Sequence, residues 1–186
     1  ASVALFAIVL LIPIFLLVAL LIKVSDGGSI IYFQRRVGLG GMLFRLYKFR
    51  SMSDNAEPNG PALSSDYDER ITPLGKVMRK WRIDELPQFW NVLKGEMSVV
   101  GPRPHPTPMN LESMKSVDNY LKRHMVNPGI TGWAQINGCR GEVRTHEEME
   151  QRVNFDLYYI HRWSFTLDLQ IILQTIIKML RDKGAY

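Results

Sequence analysis

From Ser2 to Ile22 the chain carries no charged residue, and Lys23 is the first. At about 1.5 Å of rise per residue, a helix over this stretch is roughly as long as the hydrocarbon core of a bilayer is thick. The stretch reads as a membrane segment, residues 1–23, ahead of a catalytic-sized remainder, residues 24–186. A secretory signal peptide would show a basic start and a small-residue cleavage site, and neither is present. Pro13 removes one helical hydrogen bond and crowds the carbonyl of Val9, so a bend is expected there. A bent helix can enter and leave by one face, and a kinked helix can also span. Composition does not choose between them.

The remainder is large enough for one core. A formal net charge of +5 suits anionic lipid head groups or nucleotide phosphates equally. No nucleic-acid partner is expected, because the basic residues are dispersed among acids and carry no recognition motif. Cys139 is the single cysteine, which excludes an intramolecular disulfide and a cysteine-rich zinc site. His105, His124, His146 and His161 lack the spacing of a zinc-binding helix.

Chemistry concentrates around Asp84 and Glu85, in the run Arg79-Lys80-Trp81-Arg82-Ile83-Asp84-Glu85-Leu86-Pro87-Gln88. Pro87 suits the first turn of a helix and Asp84 its capping position, so a helix is expected from there to Lys94, stopping at Gly95. A helix mouth favours bound phosphate and keeps a nearby carboxylate ionised. An Asp-Glu pair at such a place is often only a cap. Two further basic clusters, Lys48-Phe49-Arg50-Ser51-Met52 and Gly101-Pro102-Arg103-Pro104-His105, argue for more. The prolines around Arg103 would aim a guanidinium suited to phosphate oxygens.

Elsewhere, Ile30 to Gln34 and Phe44 to Phe49 read as strands of a small hairpin around the turn 38–41. Residues 53–67 read as a polar loop, and Thr72-Pro73 as the start of a helix through Lys80. Met97 to Val100 is a short apolar run. Leu111 to Met125 reads as an exposed helix, 128–138 as turn-rich, and Thr145 to Ile160 as a helix with an acidic start. Phe165 to Leu180 is apolar, but Asp168 and Gln170 argue against a second span, leaving a helix on the core or in the membrane interface. Tyr158, Tyr159 and Trp163 fit either core aromatics or an interfacial belt.

Seven blocks in order carry a resemblance: Gln34-Arg35-Arg36-Val37-Gly38, Lys48 to Met52, Asp84 to Gln88, Asn91 to Ser98, Gly101 to Pro104, Pro128 to Trp133, and Asp156 to Ile160. The chain resembles the bacterial sugar transferases, polyprenyl-phosphate phosphoglycosyl transferases of monotopic type. The resemblance implies an α+β fold, mostly helical, with an N-terminal re-entrant helix-break-helix, a small hairpin sheet and amphipathic interfacial helices. The family breaks its membrane segment at a Ser-Pro pair, where this chain has Ile12-Pro13. The implied reaction moves a sugar 1-phosphate from a UDP-sugar to polyprenyl (undecaprenyl) phosphate, releasing UMP, at the cytoplasmic face of the bacterial inner membrane.

By the same resemblance Asp84 is the nucleophile that becomes a phosphoryl-aspartate, and Glu85 assists proton transfer. Lys48, Arg50, Arg79, Arg82, Arg103, Gln135 and Arg140 fall to substrate binding. Magnesium is the implied cofactor, with Asp84 and Asp156 as its candidate ligands. The segment Trp133 to Cys139, the run Arg140-Gly141-Glu142 and the ending Gly184-Ala185-Tyr186 resemble the hexose-1-phosphate branch, whose members are longer, so a catalytic part of a larger chain is expected. Membrane lipids are the implied surroundings, and a homodimer stays open beside a monomer. The alternatives are a membrane-anchored module that binds a nucleotide sugar and a nucleotide-sugar hydrolase.

Overall fold

A computed structural model describes residues 2–53, 68–141, 143 and 145–181. The loop expected at 53–67 falls, from residue 54 on, outside the described residues, as do Glu142 and the ending Gly184-Ala185-Tyr186. In chain order the elements are α1 (Ser2–Asp26), β1 (Ile31–Val37), β2 (Leu43–Phe49), α2 (Pro73–Lys80), α3 (Gln88–Leu93) and β3 (Ser98–Val100). They continue with α4 (Thr107–Ser116), β4 (Gly129–Thr131), α5 (Trp133–Ile136), α6 (His146–Arg162) and α7 (Phe165–Arg181). The described residues are mostly helical, with two two-stranded sheets, β1-β2 and β3-β4. The chain divides into two compact units, one mainly Ala1–Gln34 with Arg45–Gly95, the other Arg35–Phe44 with Glu96–Lys183. Within the first unit α1 packs against α2 and α3.

In the first unit Val18 and Ile22 of α1 share a core with Phe49 of β2 and Met78 of α2, and Phe15, Ile30, Leu74 and Ile83 close around it. The rest of α1 presents large apolar side chains outward: Leu10 is 66% and Leu16 67% exposed. Such a surface requires an apolar surround, and the described helix is long enough and apolar enough to cross a membrane. Helix assignment runs unbroken through Pro13.

Thr72 caps α2 as expected, its hydroxyl accepting from Gly75 N at 2.9 Å, with Pro73 at the first position. Gly75 is required by proximity, since a Cβ there would lie 1.9 Å from the Ser51 carbonyl oxygen. The hydrogen bond from Gly38 N to the Met42 carbonyl, 2.8 Å, closes the expected hairpin.

In the second unit β3 and β4 pair in parallel, Ser98 opposite Gly129 and Val100 opposite Thr131. The reading of 128–138 as turn-rich missed both β4 and α5. Gly129 is there for a close passage: a Cβ on it would lie 2.1 Å from Gly101 N. Val100, Ile136, Tyr159 and Ile171 form one core beneath this sheet, and Val117, Tyr120, Met149 and Val153 form a second. The helix expected from Leu111 to Met125 is broken at Val117, whose φ of −115° and ψ of 122° are extended, and Asn119, at φ 58°, turns the chain into the next element. α4 therefore stops at Ser116 and a 3-10 turn, Tyr120–Met125, follows, with Tyr120 and Arg123 buried rather than exposed. Thr145 caps α6, accepting from Glu148 N at 3.2 Å.

Candidate active site

Asp84 and Glu85 lie in a 3-10 turn, Ile83–Glu85, and α3 starts only at Gln88. The expectation that Asp84 caps the helix is corrected here: Pro87 holds the cap position with no side-chain bond, and α3 is six residues long. So short a helix contributes little dipole, and the electrostatics of the pair fall to side chains. Gly95, at φ +77°, follows the end of α3 as expected.

The two carboxylates are 6% and 7% exposed. Buried carboxylates need cations. Lys48, brought in on β2, places Nζ 2.9 Å from Glu85 Oε1 and 3.9 Å from Asp84 Oδ2. Lys48 thus hydrogen-bonds Glu85 and leaves Asp84 the weaker pairing. Arg82, just before the turn, has φ 54° and ψ 22°, a left-handed conformation that costs a non-glycine residue about 1 kcal/mol. Backbone strain of this kind gathers where a turn must present particular groups. Arg79, on α2, donates from Nε to Ser51 Oγ at 2.9 Å.

Asn91 is a positioning residue that sequence reading passed over. Fully buried on α3, it donates from Nδ2 to the Arg45 carbonyl at 2.6 Å, and its Oδ1 accepts from Tyr47 N at 3.1 Å. It thereby fixes β2, and with it Lys48, against the segment that carries the carboxylates. A polar residue inside Phe89-Trp90-Asn91-Val92-Leu93 was the available signal.

Arg50, at the end of β2, is engaged by the protein on several sides. Its Nη1 reaches Asp26 Oδ2 at 2.6 Å and the Met52 carbonyl at 3.1 Å, its Nε the Ser29 carbonyl at 2.6 Å, and its Nη2 Asp26 Oδ1. At 8% exposure it ties the end of α1 to the end of β2.

Arg103, Gln135, Arg140 and Asp156 belong to the second unit. Arg103 is half-buried between Pro102 and Pro104. Gln135 is buried on α5, its Nε2 3.5 Å from the Ile130 carbonyl and its Oε1 without a hydrogen-bond partner among the described residues. Arg140 is half-buried in the turn after α5. Asp156, on α6, is 2% exposed and its Oδ2 takes Arg123 Nη2 at 2.7 Å. Burial raises the Asp156 carboxyl, opposed by the Arg123 guanidinium. Burial likewise pushes the His105 imidazole well below its ordinary range, helped by the charges of Arg123, Arg152, Arg36 and Arg103, so it is neutral. Burial, with Arg103 and Arg123 nearby, lowers Arg152 to about 10.

Among the described residues no three His, Cys, Asp or Glu side chains group to hold a metal ion by themselves. Magnesium commonly takes one or two carboxylates and completes its shell with phosphate and water. The adjacent oxygens of Asp84 and Glu85 fit that donor set. Asp156 does not, because its carboxylate is buried against Arg123.

The family profile described as "Bacterial sugar transferase" matches residues 1–182. The UDP-glucose:undecaprenyl-phosphate glucose-1-phosphate transferase of Escherichia coli K12 is 44% identical over 179 residues, covering 96% of this chain and 39% of that protein. The UDP-N-acetylgalactosamine-undecaprenyl-phosphate N-acetylgalactosaminephosphotransferase of Aeromonas hydrophila is also 44% identical, over 98% of this chain and 43% of its own length. The chain thus spans about two-fifths of these curated relatives. The exopolysaccharide production protein PSS of Rhizobium leguminosarum is matched over 92% of its length and 96% of this chain, at 41% identity. With its motif blocks in order and the match running over nearly all its residues, the chain belongs to the bacterial sugar transferase family.

Proposed function

We propose that the chain transfers a sugar 1-phosphate from a UDP-sugar to undecaprenyl phosphate, releasing UMP. The observation that carries this is the buried Asp84-Glu85 pair held by Lys48. In the first half-reaction an Asp84 oxygen bonds to the sugar-linked phosphorus as the bond to the UMP oxygen breaks, and the electron pair leaves with UMP. In the second, an oxygen of the lipid phosphate attacks the same phosphorus and Asp84 departs as carboxylate. Glu85 takes the proton of the lipid phosphate if it arrives protonated. Lys48 sits 2.9 Å from Glu85 Oε1 and 3.9 Å from Asp84 Oδ2, so one ammonium serves both carboxylates. Lys48, Arg79, Arg82 and Arg103 supply positive charge for the diphosphate. Gln135 and Arg140 are read as substrate contacts. Magnesium, held by Asp84 and Glu85 with the diphosphate, would neutralise developing charge.

A lipid acceptor accounts for α1, for which a hydrolase would have no use. A re-entrant path is proposed from the family resemblance and from Pro13 inside α1. Ala4 is 1% and Ile22 2% exposed, while Val9 and Leu10 between them are 58% and 66% exposed. Large apolar side chains near both ends, Leu5 at 53% and Leu20 at 61%, are exposed as well, so α1 needs an apolar surround along most of its length. Exposed Phe165, Leu169, Leu173, Ile176 and Leu180, with Lys178 and Arg181 at the end of α7, suit the interface of an anionic membrane. The active site then faces the cytoplasmic side of the inner membrane.

The test is product analysis with undecaprenyl phosphate and a panel of UDP-sugars. Formation of undecaprenyl diphosphate sugar with UMP is expected. Release of free sugar 1-phosphate would convert the reading to a hydrolase, and binding without turnover would convert it to a binding module. The two 44% relatives act on different sugars, so the panel includes glucose, galactose and their N-acetylated forms.

A further inference from the structure

Three consecutive carbonyl groups around Arg103 are each held by a donor from elsewhere in the second unit. Gly129 N donates to the Pro102 carbonyl at 2.9 Å, Arg123 Nη2 to the Arg103 carbonyl at 2.8 Å, and Arg36 Nη1 to the Pro104 carbonyl at 2.9 Å. Arg123 is the deepest of these donors, 2% exposed. Its remaining contacts are all internal. Nε and Nη2 meet Asp156 Oδ2 at 3.1 and 2.7 Å. Nη1 meets His105 Nδ1 at 2.7 Å and the Tyr120 hydroxyl at 3.3 Å.

A guanidinium can only donate, so His105 Nδ1 bears the lone pair and the ring proton sits on Nε2. The Tyr120 hydroxyl donates to Asn110 Oδ1 at 3.0 Å, which joins α4 to the same network. One planar fork therefore sets both the Arg103 carbonyl and the ring two residues later. A lysine would place one point charge where the fork makes several directed bonds. A buried Arg-Asp pair gains little stability over apolar residues of similar volume, so its value is sought in what it orients.

We infer that Arg123, clamped by Asp156, is a positioning residue that holds the backbone of Gly101-Pro102-Arg103-Pro104-His105 and through it presents Arg103. The inference rests on the proposed part of Arg103 in binding the diphosphate. It gives Asp156 a role through Arg123 and not at a metal.

Removing Asp156 alone strands a buried charge and can unfold the unit, so the decisive variant pairs Arg123→Met with Asp156→Leu, which leaves no lone ion. The full chain is compared in detergent with the native protein by hydrogen exchange over residues 98–106 and by turnover with UDP-glucose and undecaprenyl phosphate. The paired variant should melt near the native temperature, yet exchange about fivefold faster in 101–105. Its KM for UDP-glucose should rise roughly tenfold. Added to Arg103→Ala, the same pair should cost less than about twofold more, because both changes act through one side chain. Arg123→Lys should give the same loosening, and the magnesium concentration for half-maximal turnover should stay native in Asp156→Asn. Native exchange in the loop overturns the inference, as does a full tenfold loss on top of Arg103→Ala. If Arg103→Ala itself loses nothing, or the native chain transfers no sugar phosphate, the functional reading fails and the exchange result still decides whether Arg123 holds the loop.

Discussion

In the proposed reaction Asp84 and Lys48 carry the chemistry at the scale of single residues. Asp84→Asn keeps the shape of the side chain and removes its nucleophile, so turnover should fall to background while the melting temperature stays close to native. A UDP-sugar labelled in the sugar-linked phosphate should label the native protein at Asp84 and leave the variant unlabelled. Appreciable turnover by Asp84→Asn would remove the covalent route. Lys48→Met deletes a charge-assisted bond worth about 1.5–3 kcal/mol, so kcat/KM should drop tenfold or more. Arg50 gives the contrasting case. Its guanidinium joins Asp26 to the end of β2, so Arg50→Ala should lower stability by about 1.5–3 kcal/mol while the KM of the surviving folded protein shifts less than twofold. A large rise in KM with unchanged melting would return Arg50 to the substrate.

Among the elements, β2 is set by α3 through one amide. Asn91→Leu retains volume but strips the Arg45 carbonyl and the Tyr47 amide of their partner, at a cost of about 1–3 kcal/mol for buried groups left unsatisfied. The variant should melt lower and lose turnover beyond its loss of folded protein, because Lys48 rides on the same strand. Equal losses in stability and in turnover would make Asn91 structural only.

For the whole molecule, the buried His105 and the half-buried His124 tie stability to pH. Burial and the Arg123 charge lower His124 from 6.5 to about 4, and His105 is lowered as well. The unfolded chain takes up protons on these rings near pH 6.5, whereas the folded chain resists until near pH 4 for His124. The unfolded state therefore binds more protons in that window, and stability falls as pH falls through it. The melting temperature should decline from pH 7 to 4.5, less steeply in His124→Gln. An equal slope in the variant would remove His124 from the account. Membrane topology is read at the same scale. Cysteines at position 2 and at Lys115, in a Cys139→Ser background, should both resist a membrane-impermeant reagent in intact cells. Labelling at position 2 alone would establish a span and end the re-entrant reading.

Local grammar was legible along the chain. The uncharged run of α1, the Thr72-Pro73 cap, the hairpin around 38–41, Gly95 after α3 and the Thr145 start of α6 each follow from residues within a few positions of one another. The motif order marks Asp84 and Glu85 as the pair on which the proposed chemistry rests. Other features depend on partners far along the chain, for which no local period exists. Lys48 reaches Glu85 across 37 residues, Asn91 reaches Arg45 across 46, and Arg123 reaches Asp156 across 33. β4 is three residues long and is recognisable only once β3 lies beside it. That Arg50 and Asp156 meet Asp26 and Arg123 could not be read, because charge is visible in a sequence and its counterion is not. Sequence alone determined which charged groups the chain carries and in what order, while tertiary packing decided which of them are already engaged by the protein itself. The reason is that a charged group buried among protein atoms must find its partner wherever the fold supplies one.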